Sequence, residues 1–285
     1  MLRLLVNPAA GRARHAEIAA RIVERAGGRV LRPADAGELE DQVRQAVDDG
    51  ASRLLVAGGD GTLHRAIQVL QDSRCALAII PTGRGNDLAR SLGLELDPAR
   101  ATRRSLEGDP VPIDLGRVGD RVYACSAAVG YDGAVLRFLE RRKSRGGAWA
   151  YPYAVLRTAF SYDPARLSVE FEGGEFDERA LMVVVSNTAS FGGGMRIAPQ
   201  ALPDDGWLDL VFIRPLPPPR LLALLPRVYR GRHLGHPSVT TARVRRATIR
   251  ADRPLTLHGD GEPIATIGAD PTAVEVRPGA LRVIR

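Results

Sequence analysis

The stretch RLLVAGGDGTLHRAIQVL, residues 53–70, carries the strongest structural signal in the chain. Its apolar start predicts a buried strand, and the apolar residues after its glycine-rich turn share one helix face: Leu63, Ile67 and Leu70. A second apolar strand, ALAII (76–80), follows this helix. Strands that alternate with helices in this way predict a parallel sheet with helices on both faces.

The same alternation extends back to the start of the chain. The short apolar run LRLLV predicts a first strand that ends at Asn7-Pro8, and a helical pattern follows it. Asp35 with Glu38 three residues later resembles a capping box, which predicts the start of a second helix. We therefore expect a doubly wound domain over the first hundred residues.

After about residue 112 the pattern changes to short strand candidates with turn residues between them. Examples are RVYACSAAV, ALMVVVSN, WLDLVFI and AVEVRP. Such a series is typical of an antiparallel sandwich or barrel. Two stretches interrupt the strands with helical or irregular character, at roughly 134–162 and 216–236.

The basic residues exclude two common classes of nucleotide-dependent kinase. The chain has 40 lysine and arginine residues and a formal charge of +7, but Lys143 is its only lysine. A P-loop needs a lysine directly after its glycine loop, and a protein kinase needs one on its third strand. Lys143 lies in ERRKSRGG, which matches neither position. The positive charge suits either a nucleic acid or an anionic membrane surface.

Several observations favour a cytoplasmic protein. No apolar run approaches the ~20 residues that a membrane-spanning helix needs. The N-terminal MLRLLVNP is too short an apolar segment for a secretory signal. Cys75 and Cys125 are the only cysteines and lack CxxC spacing, which argues against a disulfide framework or a zinc site.

Two glycine-rich loops are the best candidates for a nucleotide site. Gly58, Gly59 and Gly61 allow a tight turn and a close approach of ligand to backbone, and the next helix directs its N–H groups at the loop. The second loop, in IIPTGRGNDLAR (79–90), follows the neighbouring strand, so both loops should share one edge of the sheet. A plain strand-to-helix turn stays open as the alternative. Asp60 suits an anion site only beside a metal ion or a ribose hydroxyl.

These motifs resemble, in order, those of a known family. NPAAG, AGGDGT and PTGRGNDLAR look like the nucleotide-binding elements of the bacterial diacylglycerol and lipid kinase family, which is related to sphingosine and ceramide kinases. The likeness continues almost to the end of the chain through IDLG (113–116), AVGYDG (128–133), SNTASFGGGMRIAP (186–199), PDDGWLDLV (203–211) and GDGEP (259–263). GGDGT alone is shared with NAD kinases, whereas GGGMRIAP and the late DGEP are more specific.

The resemblance implies an α/β fold with two domains. Residues 1–115 would form a doubly wound, Rossmann-like nucleotide-binding domain. Residues 116–285 would form a mainly antiparallel β-sandwich domain that takes the lipid substrate. The last strand is a candidate to return to the first domain.

The resemblance also implies a nucleotide-binding set. Its members are Asn7, Pro8, Ala9, Ala10, Gly11, Arg32, Gly58, Gly59, Asp60, Gly61, Thr62, Gly83, Arg84, Asn86 and Asp87. Arg84 and, in a looser alignment, Arg32 stand where family members usually have threonine. Asn86 and Asp87 are also candidate caps for the helix that begins there.

Metal binding and catalysis are implied in the second half of the chain. The DDG element resembles a Mg²⁺ site formed by the Asp205 carboxylate and the main-chain carbonyls of Leu202 and Trp207, with oxygen ligands that suit a hard cation. A simple turn is the alternative. In GDGEP, either Asp260 or Glu262 would take the proton of the acceptor hydroxyl. If this segment is extended, both side chains point to one side, whereas Asp-Gly also predicts a hairpin turn.

Together these features predict an enzyme that uses ATP and Mg²⁺ to phosphorylate a lipid hydroxyl, as in diacylglycerol or phosphatidylglycerol. Peripheral, transient docking at the inner face of the membrane would use the run from Leu136 to Tyr153, helped by the arginines at 220, 227, 230 and 232. The alternatives are an NAD kinase and a non-enzymatic regulator that binds a nucleotide or lipid. A nucleic-acid partner is not expected, because aromatic residues make up only 5% of the chain. The oligomeric state stays open, with a homodimer among the options.

Overall fold

The computed structural model describes residues 2–7, 13–141 and 150–285 of the 285-residue chain. This part contains eight helices: α1 (Ala13–Arg25), α2 (Ala36–Asp48), α3 (Asp60–Leu70), α4 (Asp87–Ser91), α5 (Pro98–Glu107), α6 (Tyr131–Arg141), α7 (Ala150–Ala159) and α8 (Pro218–Tyr229). The same part contains sixteen strands: β1 (Arg3–Val6), β2 (Arg29–Leu31), β3 (Arg53–Gly58), β4 (Ala76–Pro81), β5 (Pro110–Val118), β6 (Arg121–Tyr123), β7 (Ser126–Gly130), β8 (Ala165–Phe171), β9 (Gly174–Ala180), β10 (Met182–Ser186), β11 (Leu208–Ile213), β12 (Val239–Val244), β13 (Arg246–Ala251), β14 (Leu255–Gly259), β15 (Glu262–Ile267) and β16 (Thr272–Ile284).

The N-terminal lobe is a parallel sheet with helices on both faces. Its strands lie in the order β2-β1-β3-β4. Successive side chains of a strand point to opposite faces. Leu54 and Val56 therefore pack in a core with α2 and α3, whereas Leu55 and Ala57 pack in a second core with α1 and α5. This arrangement confirms the predicted doubly wound fold.

The C-terminal lobe is a sandwich of two antiparallel layers. One layer is the sheet β12-β11-β10-β7-β14-β15. The facing layer consists of β16, β13, β8 and β9. Inward side chains of both layers form one core, where Val169 and Ile249 belong to the same cluster as Val185 and Phe212. The structure therefore confirms the sandwich and not the barrel.

Strand β16 belongs to both lobes. In its first half, Thr272 pairs with Ile249 of β13, and in its second half Val283 pairs in parallel with Leu77 of β4. Strand β5 pairs with both halves across an irregularity in register. The N-terminal sheet and one layer of the sandwich are thereby a single continuous sheet.

Helices α6, α7 and α8 cover the outer face of the other layer. Val184 of β10 and Val211 of β11 point to this side and pack in a cluster with Val155 of α7 and Leu224 of α8. Helix α6 begins directly after β7, so its first turn lies at the edge where the two lobes meet. Within the described ranges, every helix is too short or too polar to be a bilayer-spanning segment.

Candidate active site

The two glycine loops that follow β3 and β4 lie against each other. The Thr82 amide donates to the Gly58 carbonyl over 3.1 Å. A Cβ atom added to Gly83 would lie only 2.5 Å from the Cα of Gly59, a distance that real Cβ contacts do not show. Glycine is therefore required where the loops meet, and the two loops share one edge of the sheet as the parallel order predicts.

Asp60 connects these two loops. Its Oδ1 accepts a hydrogen bond from the Asp87 amide (2.7 Å), and its Oδ2 accepts one from the Asn86 amide (2.9 Å). The donors lie at the start of α4, where helix N–H groups lack partners within the helix. Burial raises the pKa of Asp60, and the nearby Asp87 carboxylate adds to the rise. The presence of a carboxylate inside a glycine loop is thus explained by its bonds to the second loop.

Asp87 in turn anchors the GGGM loop of the C-terminal lobe. Its carboxylate accepts hydrogen bonds from the amides of Gly193 (2.8 and 3.1 Å) and Gly194 (2.9 Å). All three glycines of this loop have φ between +60° and +93°, the left-handed region that favours glycine. Neither Asn86 nor Asp87 caps α4 through its side chain, so the capping prediction is wrong. The Asn86 side chain instead exchanges two hydrogen bonds with the Gly83 backbone.

Asn7 lies beside the first glycine loop at the end of β1. Its Nδ2 donates to Thr62 Oγ1 over 2.9 Å. Gly58 makes room for this contact, because a Cβ atom there would lie 2.4 Å from the Cβ of Thr62. The remaining predicted residues of this wall lie outside the described residues, so their role stays a prediction: Pro8, Ala9, Ala10 and Gly11.

The two arginines in place of threonine differ in their surroundings. Arg84 is exposed in the second glycine loop and forms no hydrogen bond or ion pair with another described residue. Arg32 is exposed after β2 and pairs with Glu17 of α1 at 3.3 Å. Because β2 lies two strands from β3, Arg32 starts roughly 10 Å from the first glycine loop. Arg84 therefore lies in one of the two glycine loops, whereas Arg32 lies farther along the sheet edge.

GDGEP forms a tight hairpin turn and not the extended segment that would align its two carboxylates. Gly259 of β14 pairs with Glu262 of β15. Asp260 and Gly261 between them both have positive φ, +53° and +88°. These are the values of a type I′ turn, which suits the twist of a hairpin. The two candidate catalytic side chains therefore point to different places.

Asp260 points to the start of β7. Its carboxylate accepts hydrogen bonds from the backbone amides of Ala124 (2.7 Å), Cys125 (2.8 Å) and Ser126 (3.1 Å). The Nδ1 atom of His64 lies 3.5 Å from Asp260 Oδ2. Only one of the three amides bonds to Oδ2, so this oxygen retains capacity to accept a further hydrogen bond.

The Glu262 side chain extends towards the first glycine loop. A Cβ atom added to Gly61 would lie 3.1 Å from Glu262 Oε1. The side chain is half-buried and comes from the first residue of β15. A residue of the C-terminal lobe thus lies next to the first glycine loop.

Two buried histidines were not singled out by the sequence. His64 lies two residues after Thr62, and His258 lies two residues before Asp260. In both, Nδ1 is buried without a hydrogen-bond partner in the described part of the chain. Burial lowers the pKa of His258, and Arg137 lowers it further, which favours the neutral imidazole. Proximity to the motifs was the only available signal, because neither histidine belongs to a recognisable spacing.

A cavity of about 330 Å³ lies between the two lobes. Three of the predicted site residues meet there, Asp60, Asp87 and Asp260. The other polar side chains of its wall are His64, Ser126, Asp132 and His258. The structure therefore brings the glycine loops and the hairpin to one space that both lobes line.

A second cavity of about 60 Å³ lies next to the first. Its wall is almost entirely apolar and comes from β10, β11, α6, α7, α8 and the loop after β10. The two cavities share the wall residues Asp132 and Phe191. Burial raises the pKa of the Asp132 carboxyl to about 6.

The DDG segment does not fit a Mg²⁺ ion in the arrangement that the structure shows. Asp205 Oδ1 accepts a hydrogen bond from the Trp207 amide (3.0 Å), and Oδ2 is ion-paired with Arg243 of β12. Both oxygens have partners, and the guanidinium charge opposes a second cation beside it. No group of three or more metal-ligating side chains occurs elsewhere among the described residues. The Mg²⁺ site of Leu202, Asp205 and Trp207 therefore remains a prediction without geometric support.

Asp114 of the IDLG motif is a further residue that the sequence left without a role. Its carboxylate accepts hydrogen bonds from the amides of Gly206 (2.7 Å) and Gly279 (2.8 Å). It is buried at the point where β5, the DDG segment and β16 meet. Asp114 thus fixes the position of β16 between the lobes.

Comparison with known protein families gives two matches that together cover most of the chain. Residues 1–118 match the model described as "Diacylglycerol kinase catalytic domain". Residues 125–285 match the model described as "YegS C-terminal NAD kinase beta sandwich-like domain". The boundary between the matches falls near the junction of the two lobes.

Individual proteins show the same likeness. A diacylglycerol kinase of Mycobacterium tuberculosis is 32% identical over 272 residues, which cover 93% of this chain and 84% of that protein. A Pseudomonas fluorescens protein named "Probable lipid kinase YegS-like" is 33% identical over 255 residues, or 87% and 82% of the two chains. The crystal structure of a diacylglycerol kinase from Bacillus anthracis superposes with a TM-score of 0.76 at 20% identity, covering 99% of this chain and 96% of that chain.

Proposed function

This chain belongs to the family of bacterial diacylglycerol kinases and YegS-like lipid kinases, and from that membership we propose that it transfers the γ-phosphate of ATP to a lipid hydroxyl group. One observation carries the proposal within the structure. The two glycine loops and the Asp260 hairpin border the same cavity between the lobes. A nucleotide on the loops and an acceptor hydroxyl beside Asp260 would therefore be held close together, which is the main requirement of phosphoryl transfer.

The nucleotide phosphates would bind at the start of α3. Backbone N–H groups of the first helical turn have no partners within the helix and carry partial positive charge. Gly59 and Gly61 allow the phosphates to approach this backbone without a side chain between them. Arg84 is exposed at the second loop and would add guanidinium donors to the same phosphates. The two loops would thus supply the positively charged and N–H donor groups that bind the phosphates.

Asp260 is the candidate proton acceptor. It lines the cavity, and backbone amides of residues 124–126 hold its carboxylate in place. In the reaction its Oδ2 would take the proton of the acceptor hydroxyl while the hydroxyl oxygen forms a bond to the γ-phosphorus. The bond from this phosphorus to the β-phosphate oxygen breaks, and ADP leaves.

Glu262 is assigned to the nucleotide side of the site. Its carboxylate lies beside Gly61 of the first glycine loop, and Glu262 does not line the cavity. ATP enters such reactions as its magnesium complex, and a carboxylate next to the phosphates suits that cation. This Mg²⁺ ion arrives as part of the substrate and is separate from the predicted site at Asp205.

The acceptor would be reached at a membrane surface. Leu156 and Phe160 lie on one side of α7 and just beyond it, with 43% and 64% of their surface exposed. The arginines at 220, 227, 230 and 232 are exposed on and after the neighbouring α8. Apolar side chains with arginines beside them suit the headgroup region of an anionic membrane. Much of the predicted contact run, residues 142–149, lies outside the described residues.

The test is an incubation with labelled ATP and Mg²⁺ in which candidate acceptors compete. A total lipid extract, purified diacylglycerol, phosphatidylglycerol and soluble NAD are supplied separately, and the products are resolved. The proposal expects label in one or more lipids and none in NAD. Label in NAD alone would instead identify an NAD kinase. ATP binding without transfer to any acceptor would indicate a regulatory protein.

A further inference from the structure

Asp132 lies at the boundary between the polar cavity and the apolar cavity. It belongs to the first turn of α6, directly after β7, and is buried with 8% of its surface exposed. On one side it shares a cavity wall with Asp60, His64 and Asp260. On the other side it shares a wall with apolar residues of β10, α7 and α8. Asp132 therefore belongs to the walls of both the polar cavity and the apolar cavity.

Apart from Asp132, the wall of the apolar cavity has almost no polar side chains. Among the described residues that line it, the polar side chains are Tyr131 and Asp132. The Tyr131 hydroxyl donates to the Val155 carbonyl and accepts from Thr158 Oγ1 at 3.0 Å. The Asp132 carboxyl, by contrast, forms no hydrogen bond with another residue in the described part of the chain, and Asp132 borders both cavities. A ligand that fills these cavities takes water away from this carboxyl, which is costly unless the ligand itself forms a hydrogen bond with it.

We propose that Asp132 is a specificity-determining residue whose carboxyl group donates a hydrogen bond to the ester carbonyl next to the acceptor hydroxyl, so that the site selects acylglycerols. This inference rests on the proposed lipid kinase function. It adds which part of the lipid is recognised and by which side chain.

The order of chemical groups in an acylglycerol matches the order of groups along the two cavities. A free hydroxyl would lie beside Asp260, the ester next to it would lie beside Asp132, and the start of the acyl chain would enter the apolar cavity. A dialkylglycerol has the same hydroxyl and chains but no carbonyl. With that lipid bound, the Asp132 carboxyl stays buried and unpaired, which penalises the analogue that lacks the group.

The donor form of Asp132 is accessible near neutral pH. Burial raises its pKa to about 6, which is close enough to neutrality for part of the protein to carry the proton at pH 7. An acyl chain that displaces water from the apolar cavity favours the uncharged form further. Asparagine has a permanent N–H donor at the same place and a closely similar volume, whereas leucine has no donor.

The test compares two acceptors in mixed micelles, 1,2-dioctanoylglycerol and 1,2-dioctylglycerol, with ATP and Mg²⁺. For wild type we expect a kcat/KM about three- to tenfold higher for the ester lipid, the value of one hydrogen bond. The Asp132→Asn variant should retain this ratio, and in Asp132→Leu it should fall to about one. Thermal unfolding checks each variant, and Asp132→Ala replaces Asp132→Leu if the latter does not fold.

The outcomes separate this inference from the function on which it rests. An ester-to-ether ratio in Asp132→Leu equal to that of an active wild type would overturn the role of Asp132 alone. A wild-type protein that phosphorylates no lipid at all would overturn the proposed function, and this inference with it. Loss of the ratio in both Asp132→Leu and Asp132→Asn would show that shape or charge, and not a donated hydrogen bond, sets the preference.

Discussion

Four aspartates in glycine-containing motifs bind backbone N–H groups from distant parts of the chain. Asp60 binds the start of α4, Asp87 binds the GGGM loop, Asp114 binds Gly206 and Gly279, and Asp260 binds the start of β7. A carboxylate with two or three amide donors holds two segments together as well as facing a ligand. The same aspartate can therefore hold the fold together and take part in the chemistry of the site.

Neutralising Asp260 and neutralising Glu262 should have different effects on the kinetics. Asp260→Asn keeps a residue type that tolerates positive φ, so the turn should form, but the proton acceptor is lost. We expect kcat to fall by ~10²–10⁴-fold with KM for ATP near the wild-type value. Glu262→Gln should chiefly raise KM for ATP. Steady-state kinetics with both substrates varied measures the split, and a reversed pattern would exchange the two assignments.

Arg84 should strengthen nucleotide binding in a salt-dependent manner. It is exposed beside the loops, and a guanidinium forms paired hydrogen bonds with phosphate oxygens. We expect Arg84→Thr to weaken ATP binding by several fold at low salt and by less at high salt. The matched control is Arg74→Thr, an exposed arginine before β4 at the opposite edge of the sheet. If calorimetric titrations find equal ATP affinities for Arg84→Thr and wild type, Arg84 has no role and only the loop backbone binds the nucleotide.

Asp132 should make the protein less stable as pH rises. Its pKa is raised from 3.8 to about 6, so the folded state binds the proton more tightly. Below about pH 4 both states carry the proton. Between pH 4 and 6 the unfolded state loses it first, so wild type loses roughly 3 kcal/mol, or about 2 if the α6 dipole favours the carboxylate.

Asp132→Asn has no charge to bury and should escape this loss. Urea unfolding followed by circular dichroism should find the variant about 2 kcal/mol more stable than wild type at pH 8, relative to their difference at pH 4.5. The same free-energy difference at both pH values would mean that folding does not raise the pKa of Asp132. This measurement involves no lipid and is independent of the acceptor test.

At the scale of elements, sequence periodicity predicted the helices and strands well but not how their ends meet. The helix with Leu63, Ile67 and Leu70 buries those three side chains in the structure, because a 3.6-residue period follows from helix geometry alone. The pairing of Asp87 with Gly193 spans 106 positions and leaves no local pattern. Likewise, the Asp-Gly turn signal was visible, but the partner amides of Asp260 lie more than 130 positions away. Long-range contacts of this kind are set by tertiary structure.

The exposed side of α7 should bind anionic membranes reversibly. The double variant Leu156→Ser, Phe160→Ser removes apolar side chains that are 43% and 64% exposed. We expect sedimentation with anionic vesicles to fall several fold and, for wild type, to fall with added salt, because each nearby arginine contributes only about 1 kcal/mol.

The control for this surface is a matched change on the other lobe. Ile18→Ser with Leu96→Ser alters two side chains that are each 37% exposed and lie far along the chain from α7. This variant should sediment like wild type. An equal loss of vesicle binding in both variants would indicate non-specific hydrophobic binding. Equal binding of wild type to neutral and anionic vesicles would show that the arginines play no role.

At the scale of the whole molecule, the fold class followed from the change of pattern near residue 112, and the structure bears it out. Alternating strands and helices can bury both faces only in a layered parallel sheet, and short strands with turns only in an antiparallel one. The continuity of the sheet through β16 was anticipated only by the resemblance, which made the last strand a candidate to return to the first domain, and the strand pattern itself did not predict it. The sequence of a strand does not specify which strands it pairs with. The segment AVEVRP alone therefore does not reveal that its continuation pairs with β4.

The shared strand β16 also has a consequence for synthesis on the ribosome. Leu77 of β4 and its partner Val283 are separated by 206 positions (283 minus 77). At about 5–20 residues per second, the partner emerges roughly 10–40 seconds after β4. Throughout that interval the nascent N-terminal sheet has an unpaired edge, the kind of surface that joins strands of other chains. Chaperone demand during translation should therefore depend on how fast the second half of the message is read.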